Sequence, residues 1–175
     1  NITGSGSISL TDDFRIIEDD IVVTNDLTGT FTIGDDLIFD QPSDAGSDDA
    51  EFINNQSIII TSDIVVGANN DDDNIFTNSS GATVSVVTIN PTSADFDFFN
   101  SGTVNQSGDF SNIDAGDTNI DNLSTGIWNW TFVQAAFDTD LTTVLNCAAS
   151  GNTFNYGAAG NQRIIPVSYH HLSLT

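Results

Sequence analysis

The chain has 175 residues, and its two cations, Arg15 and Arg163, stand against 25 acids for a formal charge of −23. Phosphate neutralisation needs clustered Lys and Arg, so this composition excludes a nucleic-acid partner and an anionic membrane surface alike. It excludes disorder too, because 38% of the residues are hydrophobic and include twelve Phe and two Trp, enough to build a core.

All the acids but Glu18 and Glu51 are Asp, and Asn, Ser, Thr and Gly are abundant beside them. These residue types favour turns and strand edges over helices. No apolar run approaches the length of a membrane-spanning helix, so membrane insertion is not expected. The lack of Met and the start at Asn1 suggest a processed product or a piece of something larger. Cys147 is the single cysteine, which excludes an intrachain disulfide.

From the N-terminus, short alternating runs bounded by turn residues predict strands at Ser7-Ile8-Ser9-Leu10, Gly29-Thr30-Phe31-Thr32-Ile33 and Ala82-Thr83-Val84-Ser85-Val86. The insert between Asp40 and Glu51 and the segment 68–74 predict loops leaving the main structure. Four segments then begin alike: Phe52-Ile53-Asn54, Phe76-Thr77-Asn78, Phe98-Phe99-Asn100 and Ile120-Asp121-Asn122, with an apolar residue two before each Asn. The Asn positions are 24, 22 and 22 residues apart. This periodicity predicts an all-β fold, a single-stranded β-solenoid (β-helix) of about 22–24 residues per rung, continuous over 1–175 and clearest over 51–132.

In such a coil each rung stacks about 4.8 Å above the last, so equivalent side chains form ladders. Inward Asn54, Asn78, Asn100 and Asn122 would pair amide to amide, which offsets the penalty of burying them, and Phe52, Phe76 and Phe98 would form a stacked column. Between Val133 and Ser150 the pattern leaves two readings open for Ala135, Ala136, Ala148 and Ala149: a short helix or tightly packed rungs.

The C-terminal residues 152–175 contain Phe154-Asn155-Tyr156-Gly157, Gln162-Arg163-Ile164-Ile165-Pro166 and Tyr169-His170-His171-Leu172-Ser173-Leu174. This resembles a phrase that recurs in giant, repetitive surface proteins of Bacteroidetes. There it normally continues as Leu-x-Leu-x-Gly-x-Gly, and the start of this chain, Asn1-Ile2-Thr3-Gly4-Ser5-Gly6-Ser7-Ile8-Ser9-Leu10, is similar to that continuation. The resemblance implies one period of a tandem array in a cell-surface or extracellular adhesin, type IX-secreted and, in some members, used for gliding motility. The expected partners are then neighbouring copies of the same repeat and a surface polysaccharide.

Candidate sites are few. Asp71, Asp72 and Asp73, with Asn69, Asn70 and Asn74 around them, offer oxygen ligands for Ca²⁺, but neither an EF-hand nor a Gly-rich nonapeptide pattern is present, so a solvated loop is the plainer expectation. Asp35-Asp36 and Asp48-Asp49 read the same way. Trp128, Trp130 and Phe132 share one face of a strand, as a sugar-stacking row would. Their parity counted from Asn122 nevertheless matches the inward set, which predicts core packing. Adjacent His170 and His171 point to opposite faces and cannot share a metal, and Cys147 reads as a small buried hydrophobe.

With 25 acids some carboxylate pair suits hydrolysis by chance, whereas a lyase lacks both a base and the cations to hold its substrate. The expectation is therefore no enzyme and no cofactor beyond diffuse Ca²⁺. A structural stalk or filament segment comes first, a carbohydrate-binding module second and a polysaccharide-degrading enzyme third.

Overall fold

Period-two alternation gives each short segment one apolar and one polar face, and parallel pairing with the equivalent segment of the next turn satisfies both its backbone and its apolar face. A computed structural model of the chain shows this arrangement, describing residues 1–18, 20–40, 49–67, 73–92, 95–133 and 140–175. The first two coils comprise β1 (Ile2–Gly4), β2 (Ile8–Ser9) and β3 (Phe14–Ile16), then β4 (Ile21–Leu27), β5 (Thr30–Ile33) and β6 (Leu37–Phe39). The next two comprise β7 (Ala50–Asn54), β8 (Ser57–Ile60) and β9 (Asp63–Val66), then β10 (Asn74–Asn78), β11 (Thr83–Val86) and β12 (Thr88–Asn90). Further along lie β13 (Phe96–Asn100) and β14 (Thr103–Gln106), and β15 (Thr118–Asn122) and β16 (Ile127–Trp130). The chain closes with helix α1 (Leu141–Val144), β17 (Leu145–Asn146), β18 (Thr153–Tyr156) and β19 (Leu172–Leu174).

Among the described residues three parallel sheets line the coil. The first runs β1-β4-β7-β10-β13-β15-β17, the second β2-β5-β8-β11-β14-β16-β18-β19, and the third β3-β6-β9-β12. Neighbours in each sheet are one turn apart in sequence, so the molecule is a β-solenoid of about six turns between β1 and β17. In the open stretch around 133–150, the described residues form one helical turn, Leu141–Val144, followed by β17. Ala148 and Ala149 come after that strand, while Ala135 and Ala136 lie outside the described residues.

Register places Asn25, Asn54, Asn78, Asn100 and Asn122 one above another. Each Nδ2 donates to the Oδ1 of the next coil, at 2.8, 2.9, 2.8 and 2.7 Å in order. Spare amide hydrogens reach backbone carbonyls, from Asn54 to Thr83 O and from Asn78 to Thr103 O. The next turn pairs Ile120 with Leu145 and Asp121 with Asn146, which carries buried Cys147 into the ladder position after Asn122.

The corner between the first and second sheets is correspondingly tight. The Gly102 N–H donates to Asn100 Oδ1, and a Cβ at Gly102 would sit 2.4 Å from the Ala82 carbonyl oxygen, so only glycine passes there.

Inside, side chains stack in columns. Phe52, Phe76 and Phe98 lie nearly parallel with ring centroids 5.5 and 4.9 Å apart. On the second sheet Val104, Trp128, Phe154 and Leu172 fall in one column, and Gln106, Trp130, Tyr156 and Leu174 in the next. Full burial of each large apolar side chain is worth about 1.5–3 kcal/mol, and this repeated burial stabilises the coil. Gln106 is the polar exception among these columns. It is buried because the Trp128 indole N–H needs an acceptor, found at Gln106 Oε1 3.0 Å away, while Gln106 Nε2 donates to Asp109 O.

Candidate functional site

The coil presents outward faces of different chemistry, and their turns decide which candidate residues meet. Trp128 and Trp130 are fully buried, their N–H groups donating to Gln106 Oε1 and Gly108 O. Neither indole offers a face to a sugar. Phe132 is partly buried against the core. Of the candidate Ca²⁺ ligands, Asp71 and Asp72 lie outside the described residues, and Asp73 is exposed at the start of β10.

Asp73 joins Asp95, Asp97 and Asp117 along a polar hollow on the edge of the first sheet. Burial, and secondarily Asp73, raises the Asp97 carboxyl above its ordinary value. Asp63 on β9 is raised chiefly by burial as well. A second acidic group sits at the other end of the coil, where carboxylate oxygens of Asp12, Asp13 and Asp35 lie within 4.8 Å of one another. Asp36 is the main cause that raises Asp35 there. Arg15 bridges this edge, reaching Asp13 at 2.9 Å and Asp40 at 3.1 Å.

These shifts have one sign. A carboxyl whose folded value is raised opposes folding when ionised, and the opposition is relieved as pH falls from neutral towards the ordinary Asp value near 3.9. The melting temperature should therefore rise as pH falls through that window. At neutral pH it should also rise between about 10 mM and about 0.5 M salt, as screening weakens the mutual repulsion of the acids. Calorimetric melts across pH and salt test both, and a flat response to each would contradict this account.

The second sheet differs in kind. Its outward side chains form two ranks, Thr30, Ser57, Thr83, Thr103, Ile127 and Thr153 in one and Thr32, Ile59, Ser85, Asn105, Asn129 and Asn155 in the other. None of these is charged, in a chain with 25 acids. Three asparagines of the second rank make a second amide ladder, on the outside: Asn155 Nδ2 donates to Asn129 Oδ1 at 2.7 Å and Asn129 Nδ2 to Asn105 Oδ1 at 2.8 Å.

Two hollows flank this ladder along the coil axis and share Asn129 and Thr131. The outer ladder is only faintly marked in the sequence. Its signal was the polar residue enclosed by aromatics in Trp128-Asn129-Trp130 and Phe154-Asn155-Tyr156, and only the register shows that these asparagines align.

At the C-terminal corner Tyr156 and Tyr169 share a 2.5 Å hydroxyl contact. Tyr156 Oη accepts from the Ile165 N–H and Tyr169 Oη donates to Ile165 O, which locks the Ile164-Ile165-Pro166 turn against the coil. Gln162 Nε2 donates to Trp130 O, tying the same segment to β16. His170 Nδ1 accepts from the Gly151 N–H. Burial pushes the Cys147 thiol up to about 12, which leaves it an unreactive core residue. Among the described residues no helix is long and apolar enough to cross a membrane. Comparison with protein-family models, with curated proteins and with solved structures gives no match for this chain.

Proposed function

We propose that the protein is a segment of a stiff extracellular stalk or filament, the body of a cell-surface adhesin in which further coils of the same kind stack on both ends. No catalytic chemistry is assigned to it. The observation that carries this reading is the state of the core columns at the two ends of the coil. At one end Leu172 and Leu174 continue the columns of Phe154 and Tyr156 yet are 36% and 64% exposed. At the other, Ile8 continues the column of Phe31 and is 38% exposed. Apolar columns ending in solvent beside unpaired strand edges are surfaces on which another coil gains both burial and backbone pairing.

For copies joined end to end, the turn lengths of the coil bear on the linker between them. Among the described coils the shortest passage from the second sheet back to the first, 87–95, takes nine residues. An abutting copy has only Thr175 and Asn1 between Leu174 and the next Ile2, so continuous stacking is read with about seven further residues between copies, a longer period than the 175 residues that the C-terminal resemblance implies. A two-copy tandem with such a spacer is expected to unfold in one transition above the single-copy melting temperature. The directly fused tandem is expected to melt like the single copy. Equal melting of the spaced tandem and the single copy would count against end-to-end stacking, and absence of antibody labelling on intact producing cells would count against a surface location.

A further inference from the structure

We propose that the uncharged outer face of the second sheet is a binding site for a neutral linear polysaccharide, laid along the coil axis against the ladder of Asn105, Asn129 and Asn155. The site is complete within one copy and does not depend on stacking of further coils.

The first argument is electrostatic. With 25 acids in 175 residues, a face of two six-residue ranks without a carboxylate stands apart from the acidic edge of the first sheet. It attracts neither a cation nor a basic protein, and the acidic remainder of the coil repels a polyanion. What is left is a neutral ligand that pairs through hydrogen bonds.

The second argument is the hydrogen-bond array. Asn129 is held from both sides, donating to Asn105 and accepting from Asn155. Such fixed amides lose little freedom when a ligand arrives. Among the described residues the Asn105 amide donates to nothing in the protein. Each amide both donates and accepts, as sugar hydroxyls do. The ladder repeats at the coil rise of about 4.8 Å, close to the length of one pyranose unit, so a linear glycan meets successive amides nearly in step.

The third argument is shape. The two hollows sharing Asn129 and Thr131 run beside the ladder, one towards Ser107 and the other towards Gly157. Together they make a shallow channel suited to a single chain. A second copy of this protein fits the face poorly: six strands at about 4.8 Å and about 3.3 Å per residue give roughly 350 Å², less than half of the roughly 800 Å² that a stable partner covers.

The test is affinity electrophoresis of the intact chain through gels containing a soluble β-glucan, a galactomannan or a xylan, with alginate as the polyanion. Retardation by at least one neutral polymer, insensitive to about 0.5 M salt as an uncharged contact should be, is the expected result. The double variant Asn105→Ala/Asn129→Ala is expected to weaken it at least tenfold, as the loss of two neutral hydrogen bonds implies. Asp97→Asn, on the first sheet, should leave it unchanged.

Titration of the unmodified protein with an oligosaccharide of the retarding polymer, followed through side-chain amide NMR signals, keeps the test independent of variant folding. The Asn105, Asn129 and Asn155 amides should shift together. No retardation by any neutral polymer, undiminished retardation of the double variant, or equal retardation by alginate would overturn the proposal. So would adsorption to growing ice in the absence of any glycan binding.

Discussion

Asn78→Leu is expected to destabilise the coil by about 3 kcal/mol, the loss of three buried hydrogen bonds at about 1 kcal/mol each. Asn78 is fully buried in the middle of the inner ladder, accepting from Asn54 and donating to Asn100 and to the Thr103 carbonyl. Leucine keeps the branching and the heavy-atom count of the amide but is bulkier, so overpacking against the neighbouring rungs adds to the loss of the hydrogen bonds. Because domains of this size are stable by only about 5–15 kcal/mol, the effect is visible in a urea or thermal melt.

Asn78→Asp separates the hydrogen bonds from the shape. Its outer oxygen would face Asn100 Oδ1 and Thr103 O, both acceptors, so the carboxyl is satisfied only when it carries a proton. Its folded pKa is then raised above the unfolded value of about 3.9, and stability present at low pH is lost as pH rises to neutral. Melts at acid and neutral pH measure this directly. A pH-independent Asn78→Asp, or an Asn78→Leu within about 1 kcal/mol of the parent, would mean that the ladder is not a major source of stability.

Trp128→Ala should cost about as much or more. The indole is fully buried and packs on Phe98, Phe110 and Phe154 with ring centroids at 5.2, 5.7 and 6.0 Å. Removing it leaves a cavity across successive coils, for which about 3–5 kcal/mol is typical, and takes the indole donor from the Gln106 side-chain Oε1 for about 1 kcal/mol more. Trp128→Phe keeps most of the contact and should recover much of the loss. Differential scanning calorimetry distinguishes this from a ligand-binding role, in which Trp128→Ala would melt normally and lose sugar binding instead. Poor quenching of tryptophan fluorescence by acrylamide, unaltered by sugars, should accompany it.

The coil was legible in the sequence because its turns repeat. Phe52, Phe76 and Phe98 with Asn54, Asn78 and Asn100 recur at 24 and 22 residues, and in-register stacking places such recurrences on top of one another. Asn25 is a rung of the same ladder and escaped notice because 29 residues separate it from Asn54, the insert after Asp40 lengthening that turn. Cys147 stands where a sixth ladder Asn belongs, and nothing local marks it as such. The neutral face was legible only in part: aromatics on either side mark Asn129 and Asn155 as outward strand residues, but separations of 24 and 26 residues do not say that they align with Asn105.

By itself, then, the sequence determined the all-β class, the coil period and which side of each strand turns inward, because alternation and repetition are local or one-dimensional properties. Only the tertiary structure decided how the outward residues combine. Turn lengths vary from coil to coil, and they alone bring uncharged side chains into two ranks on one sheet while Asp73, Asp95, Asp97 and Asp117 gather at the edge of another. A net charge of −23 gives no hint of that division, because charge adds over the whole chain and register distributes it.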